Sequence, residues 1–221
     1  METLVLRADA RGIKKAVEIL KKGGLVIYPT ETAYGIGCDA TNRNAVKKVY
    51  KIKKRSSKKP LSVIFGSTAI AEKYVSLDED GKRLVEEFMP GPLTLVARPK
   101  YRKLRFPIRE NSRFSQKQLA GSPRNEIAFR IPANRFALSL AGKFKKPITA
   151  TSANISGEKP VYSFPEAFAL FAKKADAIIN TGSLPKRKVS TIFNLITMKT
   201  VREGPISGAK IKKCLLSCRG E

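Results

Sequence analysis

The chain has 221 residues, of which 42% are hydrophobic, enough to bury a sizeable core and too apolar for an intrinsically disordered protein. Lys and Arg number 44 against 18 Asp and Glu, and the formal charge of +26 suits polyanionic partners: nucleic acid, nucleotides or an anionic surface. The absence of histidine excludes Ser-His, Cys-His and histidine general-base chemistry, and three cysteines (Cys38, Cys214, Cys218) make neither a disulfide framework nor a zinc site.

Apolar strand-like runs alternate with amphipathic stretches along the chain, which predicts an α/β sheet protein. Residues 3–7 read as a strand. Asp9 can cap a helix running through Lys21, with Ile13, Ala16, Val17 and Leu20 on one face and Gly23-Gly24 behind it. Residues 25–28 form a short buried strand stopped by Pro29. Asn42 or Asn44 starts a helix that turns Ala45, Val46, Val49 and Ile52 inward and frays near Ile52, and 61–65 is a further strand. A helix over 78–88 closes at Met89-Pro90-Gly91-Pro92 and a strand follows over 93–98. Residues 127–131 and 147–151 are strands with a helix over 134–143 between them. A helix follows Ser163 over 164–173, and strands over 177–179, 191–195 and 200–202 finish the sheet. Residues 100–125 break this rhythm, with eight Lys or Arg against one acid, Glu110, and no period, so they form either a functional basic arm or a disordered insert. The charged opening METLVLRADARG is no signal peptide and no apolar run approaches the ~20 residues of a membrane span, so a soluble cytoplasmic protein of one domain, 1–221, is expected.

Four stretches collect polar groups at strand ends, where open α/β sheets place their ligands. Pro29-Thr30-Glu31-Thr32-Ala33-Tyr34-Gly35-Ile36-Gly37 gathers two Thr hydroxyls, a carboxylate and a phenol, or is simply a tight turn between strands. Lys53-Lys54-Arg55-Ser56-Ser57-Lys58-Lys59-Pro60 lies in a run from Ala40 to Ala71 without one acid. On extended chain Lys53 and Arg55 would share a side, a point charge beside a planar fork, suited to a polyphosphate; otherwise the segment is a solvated basic loop. In Ile148-Thr149-Ala150-Thr151-Ser152-Ala153-Asn154-Ile155-Ser156-Gly157, Ser152 and Asn154 can point together, unless this is an ordinary Ser/Asn turn. Val189-Ser190-Thr191 and Arg202-Glu203-Gly204 complete the set, Arg202 holding either a phosphate or Glu203. There is no GxxxxGK[ST], GxGxxG or GxSxG motif.

In order along about residues 10–205, GGLVIYPTETAYGIG, KKRSSKKPLS, MPGPLTLV, FRIP, TATSANISG, VST and VREGP resemble the YrdC-like family of threonylcarbamoyl-AMP synthases, in its short single-domain form. The resemblance implies a twisted mixed sheet with flanking helices around a positively charged cavity. It implies the conversion of L-threonine, bicarbonate and ATP, with Mg²⁺, to L-threonylcarbamoyladenylate and pyrophosphate. The product would pass to separate transfer proteins that modify tRNA. Carried over by motif, Thr32, Arg130 and Ser190 would hold threonine, and Lys53, Arg55, Lys59, Ser152, Asn154 and Arg202 would hold ATP. Lys53, Arg55, Ser152 and Asn154 would be the catalytic set, and no metal-ligating residue is assigned. The chain departs from the family pattern at Ile64 (often histidine), Glu126 (often threonine), Asn180-Thr181-Gly182 (Asp-x-Gly) and in the length of 100–125. Two rivals stand beside this reading: an RNA-binding or ribosome-associated protein on the same fold, with Tyr101, Phe106 and Phe114 among the cations to stack on single strands, and a module of larger carbamoyl-transfer enzymes.

Overall fold

In a computed structural model, residues 2–56, 59–100 and 126–217 are described. The basic stretch singled out over 100–125, with Tyr101, Phe106 and Phe114, lies outside the described residues except for Lys100, and so does Cys218. Eleven strands occur among the described residues: β1 (Leu4–Arg7), β2 (Val26–Pro29), β3 (Tyr34–Gly37), β4 (Ser62–Ile64), β5 (Val75–Ser76), β6 (Leu93–Pro99), β7 (Ile127–Arg130), β8 (Ile148–Ser152), β9 (Ala177–Asn180), β10 (Thr191–Asn194) and β11 (Lys199–Arg202). The helices are α1 (Ala10–Lys21), α2 (Arg43–Lys53), α3 (Thr68–Ala71), α4 (Glu79–Phe88), α5 (Arg135–Phe144), α6 (Phe164–Phe171) and α7 (Gly208–Leu216). The sheet runs β1-β9-β2-β3-β8-β4-β7-β6-β10-β11, with β5 on the end of β6, and mixes parallel pairs such as β4/β7 and β6/β10 with antiparallel pairs such as β2/β3 and β4/β8. This is the twisted mixed α/β sheet with flanking helices that the resemblance implied.

Side chains alternate across each strand, so successive residues serve two cores. On one face α1 and α5 set Ile13, Ala16, Val17 and Leu20 and Phe136, Leu140 and Phe144 against Val26, Tyr28, Ile64, Ile148 and Ile179. On the other, α2, α4, α6 and α7 supply Val46, Val49, Leu84, Phe171 and Ile211 over Ile27, Val63, Leu95, Phe129 and Phe193. The helix starts follow their caps: Asp9 accepts from Gly12 N at 2.8 Å, Asn42 (not Asn44) from Ala45 N at 3.1 Å, and Asn134 from Ala137 N at 3.0 Å. Ser163 and Glu166 form a reciprocal capping box on α6. Ile64, where the family often has histidine, is fully buried beneath α5, so an apolar residue fits that position.

Several elements differ from expectation. β2 stops at Pro29 as expected but includes it, paired with Tyr34 across the hairpin. β3, with two glycines in four residues, carries little strand propensity, yet Gly37 is where the Tyr28 ring passes: a Cβ there would lie 2.6 Å from that ring. α2 continues through Lys53 and does not fray at Ile52. α3, β5 and α7 have no counterpart among the predicted elements; α7 buries only Ile211 and Leu215, too few apolar positions to set a period on its lysine-rich sequence. Among the described residues no helix is long and apolar enough to cross a membrane.

Candidate functional site

The face of the sheet that α1 and α5 share is not covered along its whole width. Beyond them, the residues that alternate with the larger core turn into a cavity of about 600 Å³. Its floor is Ser62 of β4, Thr94 and Val96 of β6, Ala128 and Arg130 of β7, Ala150 and Ser152 of β8 and Ile192 of β10. The loop after β2, the segment after α2 and strand β11 supply its walls.

Most of the predicted site residues meet in this cavity: Thr32, Arg55, Lys59, Arg130, Ser152, Ser190 and Arg202 all line it. Four of these are cations, brought from three distant parts of the chain. Arg55 is oriented by its own loop, Nε donating to Lys59 O at 3.2 Å and Nη2 to Pro60 O at 3.0 Å. Arg202 does not pair with Glu203. Its Nη2 donates to Ser190 O at 2.8 Å and to Ser190 Oγ at 3.3 Å, while Ser190 Oγ shares a 2.8 Å hydrogen bond with Thr94 Oγ1. Burial, then the field of Arg130, lowers the pKa of Arg202. Arg130 Nη1 donates to Glu31 Oε1, and both side chains are about nine-tenths buried. Thr30 Oγ1 donates to Ala33 O at 2.7 Å and lies 3.1 Å from Thr32 Oγ1, which fixes the turn that presents Thr32.

Lys53 and Asn154 sit one step behind the wall. Lys54 adopts a left-handed conformation (φ 48°), so Lys53 and Arg55 are not side by side on extended chain and their side chains diverge. Lys53 is 1% exposed, and its Nζ donates to the carbonyls of Ser152 and Asn154 and, at 2.9 Å, to Asn154 Oδ1. Asn154 Oδ1 also accepts from Ser152 Oγ at 2.6 Å, and Asn154 Nδ2 donates to Glu158 O at 2.6 Å. The end of α2 is thereby stapled to the turn after β8, with Ser152 held at the cavity. Burial first, and then Arg55, pulls the Lys53 pKa from 10.5 to about 8. None of its hydrogen-bond partners among the described residues is an acid; carbonyl and amide oxygens solvate it instead.

Two residues of the cavity lining, Tyr28 and Thr94, are not among the predicted site residues. Tyr28 lines the cavity and donates to Thr149 O at 3.1 Å, and burial pushes its phenol pKa up. Thr94 interrupts the apolar run LTLV, a polar residue in a buried strand that could have marked it. Glu31, in the Pro29–Gly37 stretch, stands behind the lining as the partner of Arg130, a pairing across 99 positions that no local pattern marks. Among the described residues no group of three or more Cys, Asp or Glu side chains could hold a metal ion.

Fold and site together define a mixed α/β protein with a cavity of about 600 Å³ lined by four cations and several hydroxyls. The chain belongs to the Sua5/YciO/YrdC family: the family model, described as telomere recombination, matches residues 18–204. A Methanocaldococcus jannaschii protein provisionally named threonylcarbamoyl-AMP synthase is 34% identical over 211 residues, covering 91% of this chain and 91% of its own length. The threonylcarbamoyl-AMP synthase of Pyrococcus abyssi is 32% identical over 95% of this chain, and the chain spans only 58% of that protein. The crystal structure of P. abyssi Sua5 complexed with L-threonine superposes with a TM-score of 0.80 at 29% identity, over 96% of this chain and 61% of the other. E. coli YciO gives a TM-score of 0.72 at 26% identity, over 92% of this chain and 96% of its own.

Proposed function

We propose that the chain is an L-threonylcarbamoyladenylate synthase, a nucleotidyltransferase that joins L-threonine, bicarbonate and ATP and releases pyrophosphate. The observation that carries this is the convergence of Arg55, Lys59, Arg130 and Arg202 with the hydroxyls of Thr32, Ser152 and Ser190 on one cavity of about 600 Å³. That volume suits a nucleotide beside a small amino acid, and relatives at 32–34% identity carry the synthase name.

In this reading Arg130, with its neighbour Thr32, takes the threonine end, and Ser190 reads the hydroxyl or amine. Arg55, Lys59 and Arg202 take the phosphates. Lys53 and Asn154 act through Ser152, holding it in place. The amine of threonine and CO₂ from bicarbonate give a carbamate; a carbamate oxygen attacks the α-phosphorus of ATP, and the bond to the β-phosphate oxygen breaks as pyrophosphate leaves. Such a transfer needs alignment and charge compensation more than covalent participation, which fits a chain without histidine. The cavity's side chains offer no set of carboxylates for a protein-held Mg²⁺; the ion accompanies ATP on the phosphate oxygens, with the three nearby cations adding to its charge. The adenylate then serves threonylcarbamoyladenosine formation on tRNA in the cytoplasm, through separate transfer proteins.

The test is to incubate the purified chain with ATP, Mg²⁺, bicarbonate and L-threonine and to follow the adenylate by mass spectrometry alongside pyrophosphate. Both should appear only when threonine is present. Absence of both from a folded, ATP-binding preparation would rule the activity out and leave the RNA-binding reading standing. That second reading draws on a basic groove along α2, lined by Lys47, Lys48, Lys51, Lys54 and Arg55.

A further inference from the structure

Thr94 is the one polar side chain of β6 between Leu93 and Ala97, and it lines the cavity. It shares a row of the sheet with Ile192 and Arg202, and the register that pairs Leu95 with Phe129 and Val96 with Ala128 sets it beside Arg130. Thr94 therefore stands between the arginine assigned to the amino acid and one assigned to phosphate. Its hydroxyl shares a 2.8 Å hydrogen bond with Ser190 Oγ, and Ser190 lines the cavity too. The Ser190 backbone is held independently: Arg202 Nε and Nη2 donate to Ser190 O at 3.1 and 2.8 Å, and Thr191 N donates to Pro92 O at 2.9 Å. What remains is the serine χ1 torsion. Thr94, stiff at its own χ1 because it is β-branched, fixes that torsion together with the 3.3 Å contact from Arg202 Nη2.

A guanidinium only donates, so Ser190 Oγ is the acceptor toward Arg202. The two hydroxyls share one hydrogen bond, which leaves one O–H of the pair for the cavity. The Arg202 contact polarises Ser190 and makes its O–H the stronger donor. With a ligand oxygen in the cavity, Ser190 gives its hydrogen to that oxygen and Thr94 turns its own to Ser190 Oγ. We infer that Thr94 is a positioning residue for amino-acid binding, its hydroxyl holding Ser190 as a hydrogen-bond donor to an oxygen of the bound amino acid. This rests on the amino-acid site proposed above and narrows the part Ser190 plays there, because an ammonium group has no lone pair to receive the hydrogen.

A double-mutant cycle read by binding tests it. L-Threonine and ATP are each titrated by ligand-observed NMR into the wild-type chain, Thr94→Val, Thr94→Ser, Ser190→Ala and the double variant Thr94→Val/Ser190→Ala. Thr94→Val keeps the shape of the side chain without its hydroxyl and should weaken threonine by about 10-fold, the scale of one hydrogen bond to a charged or polarised group, with ATP within about 2-fold of wild type. Thr94→Ser restores the hydroxyl and should bring threonine back to within about 3-fold of wild type. The double variant should bind threonine no more weakly than Ser190→Ala, since Thr94 acts through Ser190. Thermal melts check the fold of each, and Thr94→Ala removes the hydroxyl if Thr94→Val does not fold. Wild-type threonine affinity in Thr94→Val, equal weakening of threonine and ATP, or additive losses in the double variant overturns the inference and leaves the amino-acid site intact. Failure of the wild-type chain to bind threonine overturns that site, and this inference with it.

Discussion

Arg55 and Lys53 are two residues apart in sequence and do different jobs. The Arg55 guanidinium is half-buried at the cavity, aimed by two backbone carbonyls, and nothing in the core depends on it. Arg55→Ala should therefore cut ATP-dependent adenylate formation by on the order of 10²-fold, with a melting temperature close to that of the wild type; activity assays and thermal melts read both. Lys53 is a structural cation. Lys53→Met removes a donor from three acceptors in the turn after β8; Ser152 O keeps Asn154 N and Asn154 Oδ1 keeps Ser152 Oγ, but Asn154 O loses its lysine, and the change should cost about 1–3 kcal/mol of stability as well as activity, measured by denaturant unfolding. Its pKa, lowered from 10.5 to about 8, adds a pH signature. Above pH 8 the neutral amine has two hydrogens for three acceptors, so the Ser152 turn loosens and kcat/KM should fall. Stability from this group moves the other way: between about 8 and 10.5 the unfolded chain holds more protons than the folded one, so the free energy of unfolding rises with pH across that window. An alkaline loss of activity that tracks melting of the protein would disprove this role. Sequence spacing put Lys53 and Arg55 together on a phosphate because it could not foresee the left-handed Lys54 between them.

The β2–β3 hairpin connects core to site. Tyr28 passes over Gly35 and Gly37, reaches Thr149 O and shows one side to the cavity. A Cβ at residue 37 would sit 2.6 Å from the Tyr28 ring and 2.8 Å from Ile148, both packed under α5. Gly37→Ala should destabilise the fold by about 1–3 kcal/mol and weaken threonine binding as the ring shifts; calorimetry and ligand titration measure the two effects. Unchanged stability would mean that the ring yields freely. The same hairpin marks what the sequence could and could not disclose. Strands and helices with capped starts and clean alternation, such as α1 behind Asp9 and β6 with LTLVA, were legible because local propensity and burial agree there. β3 was hidden because its glycines exist to admit Tyr28, a long-range need with no local mark. The site was legible as motif fragments, four polar stretches at strand ends. Their convergence and the Glu31–Arg130 pair became visible only when residues 99 positions apart in the chain came into contact.

At the scale of the molecule, the cavity uses four of the cations, which leaves most of a net charge of +26 on the outside. Part of it is ordered. Lys47, Lys48, Lys51 and Lys54 line a groove along α2, and Arg55 lines both this groove and the cavity, so a basic track leads from the outer surface to the proposed reaction site. A synthase of a small adenylate needs no such track for its own substrates, whereas a product destined for tRNA gains from being made beside it. RNA should therefore bind along α2, through phosphates and without sequence preference, and weaken steeply with salt. In the double variant Lys47→Gln/Lys51→Gln, tRNA affinity should fall and the slope of log K against log salt should become shallower by roughly 1.5, since each lost phosphate contact removes about 0.7–0.9. Adenylate formation from free threonine should be unaffected, because neither lysine lines the cavity. Filter binding over a salt series measures the slope. An unchanged slope with unchanged affinity would remove α2 as the RNA track, and the outer charge would then act only as a long-range field drawing ATP toward the cleft.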